Sequence, residues 1–300
     1  MKQAAALIFT LALAACGGGA MPGHSGSVQP LGAGREGTGL LALAPTAAAT
    51  PHASFVTLVI MENRDYKLVV GNKSAPYFNK TLLPQGVLMT NSHAVGHPSQ
   101  PNYLELFSGT NQGVTDDSCP HTFSNRNIAS ELIADGKTFT GYAESMPRTG
   151  YTGCSAGSLY MRKHAPWVNF TSVPATDNVP YKGFPVSPAS FVWITPNMCH
   201  DMHDCSTGTG DTWLKSNLPK IIAWNAAHSG LLILTWDEAD PDTSGTNQIA
   251  TVLVGPTIVP NTTSSQDITH FTVLHTLETI YGLPCIKNDC AAGEITGIWR

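Results

Sequence analysis

The chain has 300 residues, of which 12% are charged, and its formal net charge is −5. A weakly acidic chain with so few charged residues lacks the clustered basic surface that nucleic-acid binding requires, so we expect no nucleic-acid partner. The length beyond the first 50 residues suits one large domain.

The first segment has the features of an export signal. A short basic start, MKQ, precedes the apolar run AAALIFTLALAA, which is too short to span a bilayer as a helix. The end of this run together with the next residue, LAAC (13–16), resembles a bacterial lipobox, which predicts cleavage before Cys16 and a lipid anchor on its thiol. An ordinary signal peptide with a chance cysteine is the alternative. We therefore expect residues 1–15 to be a lipoprotein signal peptide. The exported chain would be anchored to a bacterial membrane, in the periplasm or at the cell surface.

Residues 16–52 predict a flexible tether. They are mostly Gly, Ala, Pro, Ser and Thr, and a segment of this composition cannot bury enough apolar surface to fold. We therefore place the folded domain at residues 53–300.

The chain has seven cysteines, and the lipid anchor at Cys16 leaves an even set of six. An oxidising compartment favours disulfides, and six cysteines allow fifteen pairings. The close pairs Cys199–Cys205 and Cys285–Cys290 suggest small local loops, which leaves Cys119–Cys154. A structural zinc site is the competing interpretation, although the spacings differ from those of paired CxxC motifs.

Apolar and helical patterns alternate along the folded part of the chain. Continuous β-branched and apolar runs predict buried strands at residues 54–61, 138–143, 190–195, 231–236 and 249–254. Helical spacing predicts helices at residues 127–134, 211–227 and 269–281, with Pro219 kinking or splitting the second. The alternation predicts an α/β domain with a mostly parallel central sheet and helices on both faces.

Polar side chains follow three of the predicted strands. Glu62 and Asn63 come after the first strand, the loop NMCHDMHDCS (197–206) follows the strand at 190–195, and Asp237 and Glu238 follow the next one. Ligands bind at the carboxyl ends of the strands in such sheets. Oxygen ligands together with imidazoles suit a divalent metal ion such as Mg, Mn, Ca or Zn.

A second dense region is SHAVGHPSQPNYLELFSG, residues 92–109. Ser99 lies between two prolines, near the start of a predicted helix, where backbone N–H groups and the helix dipole favour an anion. A serine at such a place is most often a helix N-cap. The alternative is a nucleophile that attacks phosphorus, with His97 acting on the leaving group.

An ordered series of motifs covers about residues 53–300 and is similar to the bacterial phosphoesterase family. The motifs are IMENRDY, NKSAPYFN, TNSHAVGHPSQPNY, RKHAPWVNF, NMCHDMHD, LLILTWDEAD and THFTVLHTLETIYGLP. This family holds acid phosphatases and phospholipases C, and it belongs to the alkaline-phosphatase-like superfamily. The chain looks most similar to the type of acid phosphatase that mycobacteria secrete. The resemblance therefore implies an alkaline-phosphatase-like fold and a phosphatase of phosphate monoesters, phosphoinositides among them.

The resemblance also implies roles for individual residues. Ser99 would be the nucleophile, and the metal ligands would be Glu62, Asn63, Ser99, Asp237 and Glu238. Catalytic histidines would be His97, His164, His200 and His203. Substrate-binding residues would be Asn102, Asp201, Asp204 and His270. Relatives often have Asp-Asp or Asp-His where this chain has Asp237-Glu238, which leaves the ligand role of Glu238 open.

Two other functions compete with a phosphatase. Phospholipase C is the alternative within the family, although its members with that activity tend to be longer, with extra C-terminal domains. A non-catalytic surface lipoprotein is the alternative of another class, but a binding module would not need Ser99, Glu62, Asn63 and Asp237 together. We expect phosphorylated small molecules or phospholipid headgroups as partners. An acid optimum of about pH 5–7 follows if one histidine must be protonated.

Overall fold

The fold is built on an eight-stranded sheet and one separate hairpin. The computed structural model describes residues 49–241 and 245–300. The strands are β1 (Phe55–Met61), β2 (Val87–His93), β3 (Phe139–Glu144), β4 (Ser155–Ala156), β5 (Tyr160–Met161), β6 (Asn178–Tyr181), β7 (Phe191–Thr195), β8 (Gly230–Trp236), β9 (Gln248–Val254) and β10 (Thr262–Ile268). Strands β4 and β5 form the hairpin.

The sheet order is β10-β2-β9-β8-β1-β7-β3-β6. Strand β9 pairs antiparallel with both β2 and β8, and the other pairings in the sheet are parallel. Every residue of β8 is buried, as expected for a central strand that is covered on both faces. The mostly parallel sheet predicted from the sequence is confirmed.

Helices cover both faces of this sheet. The α-helices are α1 (Tyr66–Val69), α2 (Ser99–Ser108), α3 (Ile128–Ala134), α4 (Thr207–Ala227) and α5 (His270–Tyr281). Alternate residues of β1 belong to two hydrophobic clusters, because successive side chains of a strand point to opposite faces. The first cluster contains residues of α2, α3 and α5, and the second contains residues of α4. The predicted α/β fold is therefore confirmed, and the described residues form one compact unit.

The structure contains the five predicted strands and the three predicted helices, and it corrects the prediction for Pro219. Helix α4 runs through Pro219 without a break, so a split at this proline is wrong, whereas the alternative of a kink stays a prediction. Leu214, Leu218 and Ile221 are buried on either side of the proline. Burial of this apolar face offsets the loss of one backbone donor, because packing supplies most of the stability of a helix in a protein.

Three disulfides join Cys119 to Cys154, Cys199 to Cys205 and Cys285 to Cys290. The predicted pairing is confirmed, and the competing zinc interpretation of these cysteines is wrong. The predicted signal peptide, the lipid-anchored Cys16 and the tether up to residue 48 lie outside the described residues. Within the described ranges, no helix combines the length and the apolar character needed to cross a bilayer.

Candidate active site

Three adjacent strands bring the polar clusters together at one edge of the sheet. Strand β1 lies between β8 and β7, so the carboxyl ends of all three are side by side. The backbone N–H of Asp237 donates to the carbonyl of Met61 at 2.9 Å, and that of Glu62 donates to the carbonyl of Asp201 at 2.8 Å. Segments that are far apart in the sequence therefore meet here.

Ser99 lies at the centre of this cluster. It is the first residue of α2, and it follows the N-cap residue Pro98. Its hydroxyl is 3.2 Å from a carboxylate oxygen of Glu62 and 3.2 Å from one of Glu238, and the N-cap position itself is occupied by Pro98. The helix-cap interpretation of Ser99 is therefore wrong, because the side chain points to the carboxylates that follow β1 and β8.

Glu62 is fully buried and has contacts on several sides. The hydroxyl of Tyr103 donates to its Oε1 atom, and His164 Nε2 lies 3.1 Å from the same oxygen. His164 Nδ1 lies 3.6 Å from Asp201 Oδ2, and the Tyr103 ring stacks on the imidazole. Glu62, His164 and Asp201 each offer one ligand atom, and these three atoms lie within 4.8 Å of one another.

The carboxylates of this site are close together and shielded from water. Burial, Asp237 and Asp201 raise the pKa of Glu62 well above its usual range. Burial and the charge of Glu238 raise the pKa of Asp237 to about 8, and burial raises the pKa of Glu238 to about 7. Nearby positive charge would favour the ionised forms of all these groups.

Buried polar atoms without a hydrogen-bond partner also indicate that this site can hold a cation. Within the described part of the chain, Asn63 Oδ1, Asp237 Oδ2 and Asp201 Oδ2 are buried and have no hydrogen-bond partner. Buried polar atoms are normally paired, and oxygen atoms of this kind are ligands for hard divalent cations. The residues present therefore fit a divalent metal ion, and Glu62, His164 and Asp201 offer ligand atoms within 4.8 Å of one another. The ligand roles predicted for Asn63, Ser99, Asp237 and Glu238 stay predictions.

Two of the predicted histidines lie on the more exposed side of the cluster. His97 Nδ1 is 2.5 Å from Glu238 Oε2, and its side chain is 35% exposed. The His203 ring lies 6.1 Å from the His164 ring, and His203 Nδ1 is 2.7 Å from Asp204 Oδ1. Burial lowers the pKa of His164 well below its usual range, which favours the neutral imidazole. His97 is therefore better placed than His164 to exchange protons with water.

Three predicted residues have other partners. His200 Nδ1 is 2.9 Å from the carboxylate of Glu144, in a cavity beside α4. His270 Nε2 lies 2.5 Å from the carbonyl oxygen of Asp237, and burial lowers the pKa of His270 to about 4. The Asn102 amide bonds only backbone groups of the loop that precedes Ser99. These placements position the loops around the site, and the predicted catalytic role of His200 and the substrate-binding roles of the other two stay predictions.

Sequence reasoning missed a positive charge that acts on the site. Lys163 Nζ is 2.8 Å from Asp117 Oδ2, and Asp117 Oδ1 accepts from the backbone N–H of Gln100 in the first turn of α2. Burial lowers the pKa of Lys163, but the charges of Glu62, Asp117 and Asp237 more than offset this effect and raise it. The motif RKHAPWVNF contains this lysine, but its partner Asp117 is 46 residues away along the chain.

Solved structures share this fold at low sequence identity. An alkaline phosphatase superfamily protein from Vibrio parahaemolyticus aligns over 83% of this chain and 72% of its own, with a TM-score of 0.58 and 11% identity. The lipoteichoic acid synthase LtaP from Listeria monocytogenes aligns over 82% of this chain and 78% of its own, with a TM-score of 0.52 and 9% identity. At this level of identity the likeness concerns the fold alone, and it confirms the alkaline-phosphatase-like architecture.

Sequence relatives are more similar. The phosphatidylinositol-3-phosphatase of Mycobacterium tuberculosis is 44% identical over 260 residues, which is 84% of this chain and 85% of the relative. An acid phosphatase of Aspergillus fumigatus is 30% identical over 78% of this chain, which spans 56% of that longer protein. A model of the Phosphoesterase family matches residues 71–284. With the family resemblance of its motifs confirmed in this way, the chain belongs to the Phosphoesterase family.

Proposed function

We propose that this chain is an exported phosphatase, a phosphoric monoester hydrolase with Ser99 as its nucleophile and a divalent-metal centre. The observation that carries the proposal is the Ser99 hydroxyl, which lies 3.2 Å from both Glu62 and Glu238 at the start of α2. Relatives named as phosphatases support the reaction class.

The first step forms a bond from Ser99 Oγ to phosphorus. The bond to the ester oxygen breaks, and the hydroxyl proton passes to a carboxylate within hydrogen-bond distance, Glu62 or Glu238. A divalent cation held by these carboxylates would supply positive charge for the phosphoryl oxygens and would lower the pKa of the attacking group. The first turn of α2 adds the positive end of its dipole.

The leaving oxygen needs a proton, and His97 is placed to supply it. Its imidazole bonds Glu238 and is partly exposed, so it exchanges protons with water readily. Once the alcohol has left, the same imidazole accepts a proton from the water that attacks the phosphorylated Ser99. Inorganic phosphate is released, and the Ser99 oxygen takes its proton back from the carboxylate that accepted it. Lys163 adds positive charge that opposes the repulsion between a dianionic substrate and the carboxylates.

We infer that the substrates are phosphate monoesters, including phosphorylated small molecules and phosphoinositide headgroups. The M. tuberculosis relative is named for phosphatidylinositol 3-phosphate, and the fungal relatives are named as acid phosphatases. The metal ion is Mg, Mn, Ca or Zn: the carboxylate oxygens suit Mg, Ca and Mn, and a site that also uses the imidazole of His164 would favour Zn.

Replacement of Ser99 by Ala tests the mechanism. Phosphate release from p-nitrophenyl phosphate should fall below about one thousandth of the normal rate, because the covalent route is lost. The matched control is Ser108→Ala, which removes another buried hydroxyl of α2 that bonds the backbone of Leu104. The control should keep its activity. Near-normal turnover of Ser99→Ala in metal-replete buffer would contradict the mechanism, and diacylglycerol release from phosphatidylcholine would indicate a phospholipase C instead.

Replacement of Asp237 by Asn separates metal binding from nucleophilic attack. The loss of one charged ligand should reduce activity severely by weakening cation affinity, and excess divalent cation should restore part of it. The same addition should restore nothing to Ser99→Ala. Equal rescue of both variants would show that Ser99 acts only through the metal ion.

A further inference from the structure

A second group of potential metal ligands lies outside the candidate active site. His275 and Glu278 are on the last helix, α5, and Asp289 is in the loop that the Cys285–Cys290 disulfide closes. Each residue offers one ligand atom, and the three atoms lie within 4.8 Å of one another. The proposed phosphatase reaction uses none of these residues.

The two carboxylates in this group are buried and unpaired. Glu278 is 1% exposed and Asp289 is 0% exposed. Among the described residues, no hydrogen-bond donor reaches any of their four oxygens. They can bond each other only if one of them keeps a proton, and burial and the nearby Asp289 raise the pKa of Glu278 to about 10. A cation or a shared proton must therefore offset the repulsion between them.

The neighbouring charges do not supply that cation. Arg126 favours the ionised form of Glu278, but its guanidinium already bonds Glu131 at 2.7 Å. Glu294, another acid, lies 3.8 Å from the imidazole of His275. The surroundings are therefore acidic on balance, and a divalent ion would reduce the repulsion further than one proton.

We propose that His275, Glu278 and Asp289 bind a divalent cation of the Zn²⁺ or Mn²⁺ kind. One imidazole with two carboxylates is a donor set that these ions accept, whereas Mg²⁺ prefers oxygen ligands alone. His275 Nδ1 lies 3.0 Å from the carbonyl oxygen of Asp289, a contact that fixes the ring beside both carboxylates. The His275 side chain is 20% exposed, which gives an ion a path from solvent.

The ion would stabilise the packing of the last helix and its disulfide loop against the end of α2. Asn288 donates its backbone N–H to the carbonyl of Gly109 at 3.2 Å. A Cβ atom on Gly109 would lie 1.9 Å from the carbonyl oxygen of Ile286, so the two segments are in close contact. The proposed role is structural, because the ion would lie near the C-terminal end of α2, whereas Ser99 is at the N-terminal end of that helix.

Metal stoichiometry tests the proposal. The protein is stripped with EDTA and dialysed against Zn²⁺ or Mn²⁺, and bound metal per chain is measured for the wild type and Glu278→Gln. We expect Glu278→Gln to bind one ion per chain fewer than the wild type. The double variant with Asp237→Asn should likewise bind one ion fewer than Asp237→Asn alone. In metal-replete buffer Glu278→Gln should hydrolyse p-nitrophenyl phosphate normally. Activity therefore tests the phosphatase mechanism, and the metal count tests the second site separately. Equal stoichiometry of the wild type and Glu278→Gln would overturn it.

Thermal unfolding separates a metal ion from a shared proton. Zn²⁺ or Mn²⁺, at a concentration too low to restore the activity of Asp237→Asn, should raise the Tm of that variant by about 5 °C. Glu278→Gln in the same background should abolish most of this rise. The Gln amide can donate to Asp289 and so replace a shared proton, which means that Glu278→Gln should stay folded without a metal ion. A cation-induced rise in Tm that survives in Glu278→Gln would overturn the proposal. Asp135→Asn is the control, because Asp135 pairs with Lys137 and not with Arg126, and it should keep the full rise. His275→Gln, at a partly exposed position, should lose it.

Discussion

Lys163 places a positive charge beside a group of buried carboxylates. Its ammonium pairs with Asp117, and the charges of Glu62 and Asp237 also act on it. A dianionic phosphate that enters this site is repelled by the carboxylates and attracted by the ammonium group of Lys163. The contribution of such a charge is large in a site that excludes water.

Replacement of Lys163 by Met should therefore raise KM for p-nitrophenyl phosphate by about tenfold or more, the loss that corresponds to one hydrogen bond to a charged group. Steady-state kinetics in metal-replete buffer measure the change. Lys137→Met is the matched control, since Lys137 pairs with Asp135. Lys137 precedes the first residue of β3, whereas the site lies at the carboxyl ends of the strands. An unchanged KM in Lys163→Met would show that Asp117 neutralises the lysine fully.

At the scale of elements, the disulfides differ in what they hold. The Cys199–Cys205 bond closes a loop with a sequence separation of 6, which carries Asp201 and His203. Arg64 ties this loop to the end of β1, because its guanidinium donates to the carbonyl of Cys205 at 2.7 Å. The Cys119–Cys154 bond has a sequence separation of 35.

Removal of each bond by paired Cys→Ser changes should separate stability from activity. Loop entropy predicts a loss of about 4 kcal/mol of unfolding free energy for Cys119–Cys154 and about 2 kcal/mol for Cys199–Cys205. The second change should nevertheless reduce phosphate release more, because it releases Asp201. Urea unfolding and p-nitrophenyl phosphate turnover measure the two effects. If activity follows stability alone, the loop has no special role in the site.

The elements show which parts of the fold the sequence can predict. Strands such as β8 were predictable because they are continuous apolar runs that are buried on both faces. Strand β10, with the sequence TTSSQDI, was missed because it lies at the sheet edge and is mostly polar. Its pairing with β2 depends on residues far away in the chain, so no local pattern marks it.

The same distinction holds within the site. Glu62 and Asp237 were predictable because parallel strands present their carboxyl ends at one edge. Tyr103 and Asp117 were not, because their partners, Glu62 and Lys163, come from distant segments.

At the scale of the whole molecule, the buried acids link stability to pH and to metal. Burial raises the pKa of Asp237 to about 8 and that of Glu238 to about 7, so the native metal-free protein holds protons that the unfolded chain releases. A raised carboxyl pKa contributes stability that is fully present below the unfolded pKa, about 4. This stability is lost as the pH rises through the folded value.

We therefore expect the EDTA-treated protein to have a lower Tm at pH 8.5 than at pH 5.5. A divalent cation should raise the Tm more at the higher pH, since its ligands must be deprotonated. Differential scanning calorimetry at both pH values, with and without the cation, measures this difference. A cation effect that is the same at both pH values would contradict the assignment of these acids as ligands.

The proposed anchor also concerns the whole chain. Replacement of Cys16 by Ser should leave the phosphatase folded and active but move it from the membrane fraction to the soluble fraction. Fractionation of expressing cells and labelling with a radioactive fatty acid measure this change. An unchanged membrane fraction, with no labelled lipid on wild-type Cys16, would show that the lipobox interpretation is wrong.

The side-by-side ends of β8, β1 and β7 have a consequence for fragments of the protein. Glu62 and Glu238 both contact Ser99, so no continuous piece of chain shorter than residues 62–238 contains all three. Pairing over such separations forms late, after long loops have closed. A fragment that lacks Glu62 or Glu238 therefore lacks part of the proposed centre, and such a fragment should release no phosphate from p-nitrophenyl phosphate.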